Sequence, residues 1–284
     1  MMLHTSPASL LVAGLLALGL AAAPLHAETA AAPASQTGYT PEVGQPGKDV
    51  VWMPTAQTLV DRMLDLARVT PADRLVDLGS GDGRLVITAA QRGVPARGLE
   101  YNPDLVDLAR RNAEAAGVGK LARFEEADIF ATDFSDATVV TLFLLPELNL
   151  RLRPILLDMR PGTRILSNSF HMEEWYPDDR VEVTEEEGCI SYCTGYLWVI
   201  PAKVEGDWAL DGKVLHLVQT FQMLDGGLRG DDFTPLEEGR LDGRYIQFAL
   251  AGADYVGEVS DDGKTMQGTI NGEGKWRAVR ETGS

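Results

Sequence analysis

The chain has 284 residues, 45% of them hydrophobic, and a formal net charge of −17 from 42 acidic against 25 basic side chains. That apolar fraction excludes a disordered polypeptide, and the length admits one full α/β core plus a second small domain. The acidic balance excludes a broad phosphate-binding surface, because nucleic-acid affinity rests on clustered Lys and Arg; it suits a basic partner instead.

Residues 1–27 read as a secretory signal. Leu10 to Ala23 is an apolar run of 14 residues, shorter than the ~20 that span a bilayer as a helix. Ala27, after Leu25-His26, offers a small-residue cleavage site. No Lys or Arg precedes Leu10, a departure from the usual basic start that keeps a cytoplasmic chain as the alternative. Cleavage would start the mature chain at Glu28, leave it without an integral membrane span, and place it in the periplasm or outside the cell. Residues 28–48 are Ala-, Pro-, Gly-, Thr- and Gln-rich without apolar periodicity, and are expected to be a flexible lead-in.

The main domain is expected over 49–203. Pro54 suits a helix start, and Leu59, Met63, Leu64, Leu66 and Ala67 follow at roughly helical spacing. Asp73 to Val76 then reads as a buried strand and Arg84 to Ala90 as a helix. Between them lies Asp77-Leu78-Gly79-Ser80-Gly81-Asp82-Gly83. Three glycines there let the backbone turn tightly and approach a ligand. A dinucleotide fingerprint, G-x-G-x-x-G, would need its third glycine at Arg84 and fails there. Arg97 to Glu100 reads as the second strand, Pro103 to Ala116 as a helix stopped by Gly117, and Leu121 to Glu126 as the third strand. Thr138 to Leu145 is a continuous apolar run of the kind buried on both faces. Leu148 to Met159 is helical in composition, with a kink or break expected at Pro154. Strands over Arg164 to Ser169, Val181 to Thr184 and Tyr196 to Ile200 complete an α/β, doubly wound sheet. Residues 201–284 carry 14 of the 29 glycines and show no helical period. Turn signals at Asp225-Gly226-Gly227, Asp242-Gly243, Asp262-Gly263 and Asn271-Gly272 predict a small C-terminal antiparallel β meander or barrel over 207–284, packed against the main domain.

The acidic residue followed by G-x-G-x-G, Asp77 to Gly83, resembles motif I of the class I S-adenosylmethionine (SAM) methyltransferases, which have a Rossmann-like sheet. Glu100 falls 23 residues after Asp77, where that family has a second acidic residue at a strand end. The segment Glu126-Ala127-Asp128-Ile129-Phe130 is similar to the one that follows the family's third strand. The resemblance implies SAM as cofactor, bound by Asp77, Gly79, Gly81, Asp82, Glu100, Asp128 and Ile129. In it Asp77 lies near the methionine end, Glu100 takes ribose hydroxyls and Asp128 takes the adenine amino group. A carboxylate suits a diol because each oxygen can accept a hydrogen bond. From about residue 50 to 175, the strand ending near Pro146, the following helix, and Pro161-Gly162-Thr163-Arg164-Ile165-Leu166-Ser167 resemble the non-SET protein-lysine methyltransferases of mitochondrial and nucleosomal type. The Asn/Asp-Pro-Pro-aromatic motif of amide and adenine methylation is not at Phe143 to Asn149.

These readings predict a SAM-dependent methyltransferase acting on nitrogen, with protein lysine as one acceptor and nucleic acid not expected. Two alternatives stay open: a small-molecule methyltransferase whose pocket is closed by the β tail, and a secreted, non-catalytic binding protein on this fold. Methyl transfer needs alignment and desolvation more than acid–base machinery. An apolar channel of Trp52, Phe143, Leu144 and Trp175 would favour the neutral amine. Glu147, Asn149 and His171 are the polar candidates near the strand ends, with helix capping or a surface position as the plain alternative. Cys189 and Cys193 share a face on a strand but lie too far apart there to bridge, although on a helix they could meet; two buried thiols are expected, with a redox switch as the alternative. No Cys/His grouping has zinc spacing, so no metal is expected. Export and a SAM site pull in opposite directions, since SAM is made in the cytoplasm.

Overall fold

The computed structural model describes residues 38–281; the signal expected over 1–27 lies outside them, as do residues 28–37 of the lead-in. Helix α1 (Gln57–Leu66) precedes the alternating run β1 (Leu75–Leu78), α2 (Arg84–Gln91), β2 (Ala96–Glu100), α3 (Pro103–Ala115), β3 (Ala122–Glu126), β4 (Val139–Leu142), α4 (Pro146–Leu157) and β5 (Arg164–Asn168). Strands β6 (Asp179–Glu182) and β7 (Thr194–Val199) follow. The seven strands form one sheet in the order β3-β2-β1-β4-β5-β7-β6, with β7 antiparallel to both its neighbours. All four residues of β1 and of β4 are buried, as strands covered by helices on both faces must be. One core cluster joins Leu59, Met63, Val86 and Ala109 to one face, and the other joins Leu152, Leu156, Trp175 and Trp198 to the opposite face. The order reverses between β1 and β4, and a crevice opens at the carboxyl ends of these strands.

Local chemistry accounts for the element ends. Asn102 caps α3, its side chain accepting from the Asp104 N–H at 2.9 Å, and Pro103 occupies the first turn. Pro146 likewise opens α4, two residues earlier than expected. Pro154 does not break that helix: it lies on the exposed face, where the carbonyl it leaves unpaired can meet water.

The C-terminal unit is a closed barrel of eight antiparallel strands: β8 (Gly206–Leu210), β9 (Lys213–Thr220), β10 (Met223–Arg229), β11 (Thr234–Asp242), β12 (Tyr245–Leu250), β13 (Ala253–Val259), β14 (Thr265–Ile270) and β15 (Gly274–Arg280). Pairing of β15 with β8 closes the ring. Asp211-Gly212, Ala251-Gly252 and Asn271-Gly272 each have two consecutive positive φ values, as two-residue hairpins require. Asp225-Gly226-Gly227 is not the expected turn: it lies inside β10, where the register with β11 shifts. The interior is filled by Trp208, Phe248, Trp276 and aliphatic side chains. A Cβ on Gly257 would stand 2.5 Å from the Trp276 ring, so glycine there makes room for the indole.

The barrel docks beside β7 and β6. Phe221 stacks on Trp175 at 5.7 Å between centroids, Arg240 pairs with Asp178 at 2.6 Å, and Gln222 donates to the Tyr176 carbonyl at 2.9 Å. Burial raises the Asp178 carboxyl above the usual carboxylate range, with the Val199 N–H and Arg240 pulling the other way. Trp175, expected in a substrate channel, is instead a core residue with 0% exposure between Trp198 and Phe221.

Candidate active site

A cleft of about 540 Å³ opens at the carboxyl ends of β1, β2, β4 and β5, and every residue lining it lies between Gln45 and Tyr192. None comes from the barrel, which removes the idea that the β tail closes the pocket.

The glycine turn forms the floor. Gly79 and Ser80 both donate their N–H groups to the Leu99 carbonyl, at 2.8 and 3.1 Å, tying the turn to the end of β2. Gly81 has φ of 53°, and a Cβ there would meet the Trp52 indole nitrogen at 2.8 Å. Glu100 reaches back over this turn. Its Oε2 accepts from the Gly81 N–H and its Oε1 from the Asn102 N–H, both at 2.9 Å. Each oxygen therefore keeps acceptor capacity for one further donor.

Asp77 is buried at the end of β1, 6% exposed. Register pairs it with Thr141 on β4, whose hydroxyl donates to Asp77 Oδ1 at 2.6 Å. Burial pushes the Asp77 carboxyl up to about 7; the Thr141 hydrogen bond opposes this, while the charges of Glu100 and Asp82 add to it. Such a group is unsatisfied as an anion until a cation approaches. Asp82 also borders the cleft but is held by Arg84, whose Nη2 lies 2.6 Å from Oδ2. Arg84 in turn donates to the Thr55 carbonyl at 2.7 Å.

Residues 38–48 of the expected lead-in are among the described residues, and their end is part of the site. Gly44 donates to the Trp52 carbonyl and Trp52 to the Gln45 carbonyl, both at 2.9 Å, making a small hairpin that borders the cleft. Lys48 on this strap pairs with Asp128 at 2.8 Å and stands 4.5 Å from the Tyr101 ring centroid. That hydrogen bond, with another from the Phe130 N–H, holds the Asp128 carboxyl below its ordinary range. Ile129 lines the same end.

The opposite end is apolar and aromatic. Phe143 and Leu144 follow β4, Phe170 follows β5, and Tyr192 stands on the β6–β7 loop. Phe143 lies 6.2 Å from Phe170 and 5.3 Å from Tyr192, ring centroid to centroid. Cys189 and Cys193 on that loop form a disulfide, not the two thiols expected. The chain is neither strand nor helix there; a tight reversal brings the two Cα atoms within 5.7 Å, inside bridging range.

The three polar candidates are not in the cleft. Glu147 is exposed in the first turn of α4, where a carboxylate favours the helix dipole. His171 is exposed and accepts from the Glu173 N–H at 3.2 Å. Asn149 is fully buried and donates to the Phe170 carbonyl at 3.2 Å, so it positions the chain beneath the aromatic end. Lys48, Thr141, Phe170 and Tyr192 were not foreseen. Thr141 alone carried a signal: it is the one polar residue in the apolar run Val139-Val140-Thr141-Leu142.

A cleft with a glycine floor that a Cβ would fill, one buried carboxylate and a second with spare acceptor capacity fits a cationic nucleoside, and it defines a SAM-dependent methyltransferase of class I. Residues 77–179 match the model of the ANTKMT methyltransferase domain. A protein-lysine N-methyltransferase from Saccharolobus islandicus is 40% identical over 154 residues, which span 53% of this chain and 94% of that protein. The chain belongs to the family of class I methyltransferases that includes this lysine N-methyltransferase. The mouse adenine nucleotide translocase lysine N-methyltransferase is 38% identical over 120 residues, which span 42% of this chain and only 52% of that protein. Among solved structures, an RNA methyltransferase from Salinibacter ruber in complex with S-adenosyl-L-homocysteine is 49% identical, with 54% of this chain and 96% of that one covered and a TM-score of 0.49. Among the described residues no group of His, Cys, Asp or Glu could hold a metal ion, and no helix is long and apolar enough to cross a membrane.

Proposed function

We propose that this protein is an exported N-methyltransferase that methylates the side-chain amine of a protein lysine. The observation that carries the proposal is the polarity of one cleft: carboxylates and glycines at one end, aromatic and aliphatic side chains at the other. Bound SAM would supply a methyl group already activated by its sulfonium charge. In this reading the ionised Asp77 faces the cofactor's cationic amino group, the free acceptor positions of Glu100 take ribose hydroxyls, and Asp128 with Ile129 borders the adenine. Gly79 and Gly81 allow close approach of the backbone. Trp52, on the strap above Gly81, excludes water from that side. At the other end Phe143, Leu144 and Phe170 disfavour the charged form of an incoming amine and so raise its neutral, nucleophilic fraction.

A lysine acceptor is favoured by the lysine N-methyltransferases among the relatives and by the net charge of −17, which disfavours RNA as the acceptor. Export is supported by the pattern of residues 1–27 and by the Cys189–Cys193 disulfide, a bond that persists in oxidising compartments. Methyl-labelled SAM incubated with native extract tests the acceptor. Label should enter protein and be recovered as methylated lysine after hydrolysis. Label in the small-molecule fraction would replace this reading with small-molecule methylation, and SAM binding without any transfer would replace it with a binding role.

A further inference from the structure

Tyr192 reaches the cleft from a short loop that a disulfide closes between two hydrogen-bonded ends. It is 43% exposed, has a positive φ of 57°, and sits between the two residues of the Cys189–Cys193 disulfide. The bridge is anchored at both feet. Cys189 is buried in the core cluster beneath β7, its N–H bonded to the Thr184 carbonyl at 3.1 Å, and the Cys193 carbonyl accepts from the Val183 N–H at 3.0 Å. The phenol ring thereby completes a continuous aromatic wall, 5.3 Å from Phe143 and 5.9 Å from Phe170. Phe143 and Phe170 extend from the ends of β4 and β5, rigid central strands of the sheet. The third ring has no such support.

We propose that Tyr192 is a specificity-determining residue that recognises the cationic amine of the acceptor, and that the Cys189–Cys193 disulfide is the device that holds it there. The inference rests on the amine-acceptor reading above. Aromatic faces attract ammonium groups when held near the cation. Tyr192, 43% exposed where Phe143 and Phe170 are half-buried, meets the ammonium at the mouth of the cleft, before the deeper apolar residues favour its neutral form. A dithiol reductant breaks the Sγ–Sγ bond: two electrons and two protons pass to Cys189 and Cys193, and the dithiol closes to its own disulfide. The five residues then lose their covalent closure, and only the backbone hydrogen bonds at the two ends limit how far Tyr192 moves from Phe143 and Phe170. Acceptor recognition would therefore be strong in an oxidising compartment and weak in a reducing one. The carboxylate end, built on β1, β2 and the strap, contains no part of this loop and would be unaffected.

The test uses the full chain saturated with S-adenosyl-L-homocysteine and titrated with N-acetyl-trimethyl-lysine amide, followed by nuclear magnetic resonance. The neutral isostere N-acetyl-norleucine amide serves as the control for shape. Native protein should prefer the cationic probe. Tyr192→Ala, the double change Cys189→Ala with Cys193→Ala, and the native protein in excess dithiol should each bind it about three- to tenfold more weakly. Tyr192→Phe, which keeps the ring, should bind it as the native protein does. Calorimetric affinity for S-adenosyl-L-homocysteine should be the same in all of them, which reports that each is folded. Unchanged binding of the cationic probe after Tyr192→Ala or after reduction would overturn this inference and leave the amine reading standing. Native protein that binds neither probe would remove both.

Discussion

Asp77→Asn separates the two states that the buried carboxylate must satisfy. Without cofactor, Asp77 is 6% exposed and titrates at about 7 against an ordinary 3.8. The folded chain thus holds a proton that the unfolded chain has released across the whole interval from pH 4 to pH 7. Where the native state binds one proton more, stability falls as pH rises, by about 1.4 kcal/mol per pH unit, and it levels off above the folded pKa. Three units give an upper figure of about 4 kcal/mol lost by pH 8. Asparagine cannot ionise and still offers an oxygen to the Thr141 hydroxyl, so the cofactor-free variant should be more stable than the native protein by about 2–4 kcal/mol at pH 8. The gap should shrink steadily on acidification and vanish near pH 4. Urea denaturation of both proteins at unit pH steps measures it, each pair sharing every other titrating group. Calorimetry should show the reverse ranking for SAM: at pH 8 the variant binds at least about tenfold more weakly, the loss of one hydrogen bond to a charged group. A stability gap that does not change with pH, or a native protein more stable than the variant at pH 8, would refute the reasoning.

Other outcomes are as specific. Glu100→Ala should lower SAM affinity at least about tenfold and also cost stability, because the Gly81 and Asn102 N–H groups lose their acceptor; parent-like SAM affinity would exclude Glu100 from the ribose. A chain ending at Lys203 should aggregate on size-exclusion chromatography, since removing Phe221 and Arg240 uncovers Trp175 and leaves Asp178 without its cation; a soluble monomer with full SAM affinity would show the barrel to be dispensable. Mass spectrometry of cell fractions should find the mature chain starting at or near Glu28, and an intact Met1 or Met2 on a cytoplasmic protein would sink export.

The doubly wound sheet was legible because its cues are local. Gly117 closing a helix, Pro103 opening one, and an apolar run without alternation at β4 each act within a few residues. Asp77, the three glycines and Glu100 were legible for the same reason: a strand, a turn and a second strand fix them at a set spacing. The strap was not, since a stretch of Gly, Gln and Pro has no period, and it is ordered by pairing Lys48 with Asp128, 80 positions further on. The disulfide was not legible because regular strand or helix geometry at a separation of four does not foretell the reversal that closes it, in which the chain at Tyr192 takes a positive φ. Asp225-Gly226-Gly227 misled in the opposite sense: strong turn residues that run on inside β10, in unbroken register with β9 and opposite a bulge at Glu238 of β11. Glu147 and His171 stood near the right strand ends but point to solvent, a distinction carried by side-chain direction that spacing does not encode.

The barrel spends its own backbone hydrogen bonds on itself: every strand is flanked on both sides, and no edge remains for another chain to pair with. Apart from the connecting residues 200–205, the Ala202 N–H to Gly243 carbonyl bond and the packing of Gly243 on Gly162, what joins it to the catalytic half is side chain: an indole against a phenyl ring, a guanidinium on a carboxylate, an amide on a carbonyl. Such a joint can be acquired, retuned or discarded by substituting a handful of residues, with neither sheet disturbed. The archaeal relative aligns over 154 residues, too short a span to hold both halves. That relative, covered over 94% of its length, thus leaves no room for a barrel of this size, and in this chain the fit between the two halves is carried by Trp175, Asp178, Phe221 and Arg240.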